Sequence, residues 1–106
     1  MSHDSPLPLR LKQARERKGL SQRRLGLEAG LDEFSASPRI NHYERGRHAP
    51  DYSTLTQLAR VLEVPVPFFF AEEEEMADWL LLWREVPQPV RQQTLEELRA
   101  YREQED

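Results

Sequence analysis

The sequence predicts an all-α protein. Its apolar residues recur at the spacing of a helix, and no segment of useful length alternates apolar and polar residues as a strand does. Serine, aspartate, proline and glycine also stand where helices are expected to begin and end. With 106 residues, 38% of them hydrophobic, the chain suffices for one small domain, or for one domain with an appendage.

The composition excludes several classes of protein. No apolar stretch approaches the roughly 18 residues that a membrane helix needs, and the opening segment lacks the hydrophobic core of a secretory signal. The chain contains no cysteine, which excludes disulfides and thiolate metal sites. We therefore expect a cytoplasmic protein without membrane contact.

Two helices are predicted before residue 31. The first covers residues 9–18 and ends at Gly19, and the second is capped by Ser21, runs to Ala29 and ends at Gly30. The residues expected to face the core from these helices are Leu11, Ala14 and Leu25.

A loop over residues 31–36 is expected to precede the third helix. Ser37 can cap this helix and Pro38 suits its first position, so the sequence predicts a helix over residues 38–45 that ends at Gly46.

The fourth helix shows the clearest pattern. Asp51 is its expected cap, and residues 52–62 carry an apolar stripe at helical spacing. The stripe consists of Leu55, Leu58, Ala59 and Leu62. A short fifth helix within residues 64–70, entered at Pro67, is expected to close the core with its aromatic side chains.

The remaining residues predict two further helices with a break at 87–89. The sixth helix is apolar nearly all round, so it must be covered on more than one side. The residues predicted to pack there, or on a partner subunit, are Met76, Trp79, Leu80, Trp83, Leu98 and Tyr101, the last two from the stripe of the seventh helix. The predicted division is a flexible arm at 1–8, a domain at 9–70 and a helical hairpin at 71–106.

The net charge of −4 hides an asymmetry along the chain. Residues 1–70 carry 11 Lys/Arg and 8 Asp/Glu, whereas residues 71–106 carry 4 and 11. Seven basic side chains fall between residues 10 and 24, with Glu16 as the one acid. Each of them either contacts phosphate or belongs to a solvated helix face. They are Arg10, Lys12, Arg15, Arg17, Lys18, Arg23 and Arg24.

A series of short motifs lies within about residues 9–70. Its residues are Leu20, Ser21, Gln22, Leu25, Gly26, Gly30, Ile40, Tyr43, Glu44, Arg45, Gly46, Pro50, Leu55, Leu58, Ala59, Val64 and Pro65. In this order and spacing the motifs resemble the Cro/cI-type (XRE) family of helix-turn-helix DNA-binding regulators, and the resemblance implies a five-helix, lambda-repressor-like domain.

The resemblance implies a role for individual residues. The positions that read base edges from the third helix are Ser37, Pro38, Arg39 and His42, and Arg39 suits guanine because its guanidinium can bond O6 and N7 together. The positions that contact phosphate are Gln22, Arg45, Arg47 and His48, to which the basic segment adds Arg23. Arg15 and Glu44 match a structural ion pair.

One departure from the family pattern concerns the turn before the third helix, which is about four residues longer than usual. Residues 31–36 therefore look like an insertion. In the favoured interpretation, Phe34 tucks into the core and docking is unchanged. In the alternative, the third helix changes its angle and the assigned base contacts weaken.

The sequence carries no motif of an enzyme, and we expect neither a cofactor nor a metal site. The expected function is a sequence-specific transcriptional regulator, a repressor that binds two-fold operators in double-stranded DNA as a homodimer. The C-terminal segment would supply the dimer contact, or, through its acidic part, a protein contact. Two alternatives are the antitoxin of a toxin–antitoxin pair and a protein-interaction module that keeps the fold without binding DNA.

Overall fold

The computed structural model describes residues 4–105, and within them it contains helices and no strand. The six α-helices and one 3₁₀ helix are α1 (Leu7–Arg17), α2 (Gln22–Glu28), α3 (Ala36–Glu44), α4 (Tyr52–Leu62), the 3₁₀ helix (Val66–Phe70), α5 (Glu74–Glu85) and α6 (Gln88–Glu105). The all-α prediction is confirmed. None of the helices in the described part of the chain is both long and apolar enough to cross a bilayer.

Helix α1 begins two residues before its predicted start. Pro8 fits the first turn of a helix, and Leu7 is buried against the core, so both residues belong to α1. Two of the residues assigned to the predicted arm at 1–8 therefore belong to α1, and residues 1–3 lie outside the described residues.

Helix α3 begins earlier than the sequence predicts, and the prediction that Ser37 caps it is wrong. Ser37 lies within the helix, and Ser35 occupies the cap position, where its side chain caps no N–H of the helix. The cause is tertiary: Ala36 is fully buried against α2, and a Cβ added at Gly26 would come within 2.8 Å of the Cβ of Ala36. This close approach sets where α3 starts and how it crosses α2.

Helix α4 has the predicted bounds and the predicted cap, because Asp51 accepts a hydrogen bond from the Thr54 N–H at 2.8 Å. That bond lowers the pKa of Asp51. The core lies between α1, α2, α3, α4 and the 3₁₀ helix. Its largest fully buried apolar side chains are Leu11, Leu25, Ile40, Leu58, Leu62 and Phe69.

Arg10 lies in the core, and its assignment to a solvated or phosphate-contacting face is wrong. The residue is 1% exposed. Its guanidinium donates to the Ala71 carbonyl at 2.7 Å, to Gln13 Oε1 at 2.9 Å and to Glu74 Oε1 at 2.9 Å. Arg10 therefore holds α1 to the segment that enters α5.

Helices α5 and α6 extend the molecule to 55 × 37 × 22 Å. Ala77 is buried against the core, and Leu80 and Leu81 pack beside it. Most of the predicted packing face of α5 instead remains about half-exposed, together with the stripe of α6, in which no residue is buried. These exposed residues include Met76, Trp79, Trp83, Leu98 and Tyr101. An apolar groove lies between the two helices.

Candidate nucleic-acid interface

An ion pair joins α1 to the C-terminal end of α3. Arg15 Nε lies 2.6 Å from Glu44 Oε2 and Arg15 Nη2 lies 3.0 Å from Glu44 Oε1, so the contact is bidentate. The Glu44 side chain is 4% exposed, and Arg15 also donates to the Leu20 carbonyl. The hydrogen bond to Glu44 raises the pKa of Arg15 in spite of its partial burial. The expected contact between Arg15 and Glu44 is therefore present.

Gln22 links the start of α2 to the same pair. Its side-chain amide donates to Asn41 Oδ1 at 3.2 Å and to Glu44 Oε1 at 3.1 Å. Ser21 caps the helix by accepting from the Arg24 N–H at 3.0 Å. Because Gln22 uses both amide hydrogens within the protein, it must release one of them to donate to a phosphate.

The first turn of α3 carries three of the residues expected to read bases. Ser37 is half-buried, whereas Pro38 and Arg39 are exposed. Arg39 folds back along the helix, where its Nη2 donates to the Tyr43 hydroxyl at 2.8 Å and its guanidinium lies 5.9 Å from the centre of the Tyr43 ring. The Arg39 guanidinium therefore lies about one turn further from the N-terminus of α3 than the Arg39 backbone does.

His42, the fourth expected base reader, lies on the next turn of α3 beside the loop that follows. Its ring centre is 5.2 Å from that of His48. Arg45, Arg47 and His48 are all exposed in this region, and Gly46 makes the turn with φ of +72°. The structure thus brings the C-terminal half of α3 and three expected phosphate contacts onto one basic surface.

The basic segment in residues 10–24 is largely occupied by contacts within the protein. Besides Arg10 and Arg15, Arg17 pairs with Glu85 and Lys18 lies 2.9 Å from Glu63. Ion pairing to Lys18 lowers the pKa of Glu63. In α2, Arg23 lies 3.5 Å from Glu33, and Arg24 lies 2.6 Å from Glu28; both contacts are exposed. The positive side chains around α3, rather than those of α1, therefore form the candidate surface.

The inserted loop before α3 does not bury Phe34, so the expectation that this residue tucks into the core is wrong. Phe34 is 88% exposed, and Leu31 is the loop residue that packs on the core instead. Nothing in the local sequence distinguishes the two, because both are large and apolar. Asn41, which accepts from Gln22, was also missed as part of the link between α2 and α3.

A second candidate surface is the groove of about 510 Å³ between α5 and α6. In its lining the Arg91 guanidinium lies 4.6 Å from the centre of a Trp83 ring and donates to the Val86 carbonyl. The apolar side chains that line it are Trp79, Leu82, Trp83, Val86, Val90, Leu95 and Leu98.

The comparisons with known proteins agree with this geometry. The family model HTH_3, described as helix-turn-helix, matches residues 11–69. The crystal structure of the transcriptional regulator BswR is similar, with a TM-score of 0.82 and 41% sequence identity over 88% of this chain and 92% of that chain. No curated protein matches the sequence.

The family match spans more than half of the chain, and the similarity to BswR extends through the helices that follow the matched domain. Helices α2 and α3 are the two helices of the motif, and α3 occupies the position of the helix that enters the major groove. The chain belongs to the Cro/cI-type (XRE) helix-turn-helix family of DNA-binding transcriptional regulators.

Proposed function

We propose that the protein is a homodimeric repressor that reads a two-fold operator with α3. The observation that carries this proposal is the firm attachment of α3, whose ion pair to α1 and close contact with α2 leave Pro38 and Arg39 of its first turn exposed. A helix fixed in this way can present side chains to base edges without ordering itself on binding.

The proposed base readers are Ser37, Pro38, Arg39 and His42. Arg39 gives specificity if its guanidinium leaves the Tyr43 hydroxyl and makes a bidentate contact to guanine. Pro38 cannot donate a hydrogen bond, so its role is apolar contact in the groove. The proposed phosphate contacts are Gln22, Arg23, Arg45, Arg47 and His48, of which the last three follow or end α3.

The proposed dimer forms through α5 and α6. An 18-residue helix without a buried side chain gains little from packing within its own chain, where Arg91 makes its main contact with α5. The rim around the groove also suits a second copy, because α6 carries three arginines and four glutamates and is nearly neutral. The excess of acid lies instead before and within the first turns of α5, where Glu74 pairs with Arg10.

The paired acids also bear on the proposed partners. Two of the acids in residues 71–106, Glu74 and Glu85, bond arginines of α1, so the negative charge of this segment is partly used within the chain. This arrangement favours an operator-binding dimer over a segment reserved for a basic protein partner. Cytoplasmic DNA of a bacterium or phage is the proposed target.

Selection of bound sites from a random DNA pool tests the proposal. We expect the purified full chain, at moderate salt, to enrich a motif with two-fold symmetry, whose half-site spacing reports the distance between the two copies of α3. Salt-sensitive binding without an enriched motif would contradict specific readout, since phosphate contacts alone produce that behaviour.

A further inference from the structure

The turn between α2 and α3 presents a large apolar side chain directly before the helix that is proposed to read DNA. Phe34 is 88% exposed, more than any other large apolar side chain in residues 4–105. A single exposed apolar side chain is normal on a protein surface, so the meaning of Phe34 depends on where the chain places it.

The backbone beneath Phe34 is held by hydrogen bonds. The Phe34 N–H donates to Asp32 Oδ2 at 3.1 Å, and the Ser35 N–H donates to the Asp32 carbonyl at 3.1 Å. At the other end of the loop, the Leu31 N–H donates to the Gly26 carbonyl at 2.9 Å. A fixed backbone lowers the entropy cost of placing this ring against a ligand.

The negative charge of the loop is partly offset, because one of its two acidic residues lies beside an arginine. Asp32 accepts the hydrogen bond of the turn itself, and Glu33 lies 3.5 Å from the guanidinium of Arg23. This second contact also places the loop beside α2, next to a proposed phosphate contact. The surroundings of Phe34 are therefore compatible with DNA.

The position of Phe34 in the chain indicates what it contacts. The N-terminal residues of a recognition helix lie closest to the base edges, and Phe34 precedes the first residue of α3 by only two positions. In the major groove, the apolar group that distinguishes one base from another is the methyl group of thymine. We infer that Phe34 is a further specificity-determining residue that contacts a thymine methyl group; this inference rests on the proposed function.

Uracil substitution tests the contact, because uracil differs from thymine only by lacking this methyl group. In duplexes that carry the motif selected by the wild-type protein, each thymine is replaced in turn and affinity is measured by fluorescence anisotropy at one salt concentration. For the wild type we expect a loss of about fourfold at one thymine of each half-site, the factor that corresponds to burial of one methyl group.

Phe34→Ala is expected to bind the thymine duplex at least about fourfold more weakly and to show no further loss on uracil substitution at that position. Leu9→Ala is the matched control, because Leu9 is also an exposed apolar residue but lies on α1. It should keep the wild-type response to uracil. Thermal unfolding of both variants verifies that they fold.

Three results would overturn the inference. Phe34→Ala could retain the wild-type response to uracil, or it could bind every duplex as tightly as the wild type, which would assign Phe34 to a protein contact or to solvent. In both cases the enriched motif still supports the proposed function. Failure of the wild type to enrich any motif would instead reject the proposed function, and the inference with it.

Discussion

The side chain of Arg10 joins the DNA-binding domain to the helices that follow it. Its Nε donates to the carbonyl of Ala71, a buried residue, while its Nη1 reaches Glu74, whose side chain is 72% exposed. The bond to Ala71 contributes more to stability than the bond to Glu74, since water can replace Arg10 at Glu74 but not at a carbonyl in the core. The important partner of this arginine is therefore the backbone.

Replacement of Arg10 tests that assignment. Arg10→Ala should lower the free energy of unfolding by about 2–4 kcal/mol, because it leaves a buried carbonyl without a donor and opens a cavity. Lys12→Ala, an exposed neighbour on α1, should change it by less than about 0.5 kcal/mol. Urea denaturation measures both, and an equal effect of the two substitutions would contradict the structural role.

Arg39 is the residue for which DNA binding and folding make different predictions. Arg39→Ala should weaken binding to the selected operator by about 1–3 kcal/mol and relax selectivity at one base pair. The stability of this variant should fall by at most about 1 kcal/mol, because Arg39 is exposed and its bond to the hydroxyl of the buried Tyr43 is only partly shielded from water. Arg99→Ala serves as the control for charge, because Arg99 is an exposed arginine on α6. Equal operator affinity of the wild type and Arg39→Ala would show that Arg39 does not read a base.

At the scale of elements, local signals predict a helix well when its ends are set locally. Helix α4 has its expected bounds because Asp51 supplies the cap and an uninterrupted stripe supplies the core face. Helix α3 does not, because the Ser37-Pro38 signal competes with the contact of Ala36 on Gly26, which the sequence cannot display. For the same reason the sequence does not show that the Arg39 side chain contacts the Tyr43 hydroxyl.

The crossing of α2 and α3 predicts a strong effect of one methyl group. Gly26→Ala would place a Cβ 2.8 Å from the Ala36 Cβ, 2.9 Å from its carbonyl oxygen and 3.0 Å from its Cα. We expect a loss of about 1–3 kcal/mol in stability, together with weaker operator binding as α3 moves. Adding Ala36→Gly should restore only part of both, because the two backbone contacts remain; full stability in Gly26→Ala, measured by thermal unfolding, would show that the crossing is less tightly fixed.

At the scale of the whole molecule, the distribution of charge misled the expectation about α1. Its basic residues suggest a phosphate-binding face, but Arg10 and Arg17 bond acids of α5. The sequence contains the signal for this in its separated basic and acidic segments, but spacing along the chain does not show that they meet. The sequence predicts the apolar surface of α5 and α6, but it does not show whether the core or a partner subunit covers this surface.

The proposed dimer can be tested without disturbing the fold of one chain. Leu98 lines the groove and is half-exposed, so Leu98→Glu should leave the monomer folded while placing charge in an interface. An interface of ordinary size buries about 800 Å² on each partner, and α6, at about 27 Å, is long enough to contribute a large share. Sedimentation should show monomers for Leu98→Glu and dimers for Gln93→Glu, an exposed control not lining the groove; dimers of both would move the interface to residues 4–71.

Helix α1 is bonded both to the proposed recognition helix and to the proposed dimer-forming helices. Arg15 pairs with Glu44 of α3, while Arg10 and Arg17 pair with acids of α5. In the proposed dimer, α1 therefore fixes α3 relative to α5, so that the two copies of α3 keep one separation and one angle around the axis of the duplex. Inserting about five base pairs at the centre of the operator turns one half-site to the opposite side of the duplex and should abolish binding of both halves at once. Inserting about ten base pairs returns both half-sites to the same side of the duplex but moves them about 34 Å further apart. A dimer that holds its two copies of α3 at a fixed separation cannot span this distance.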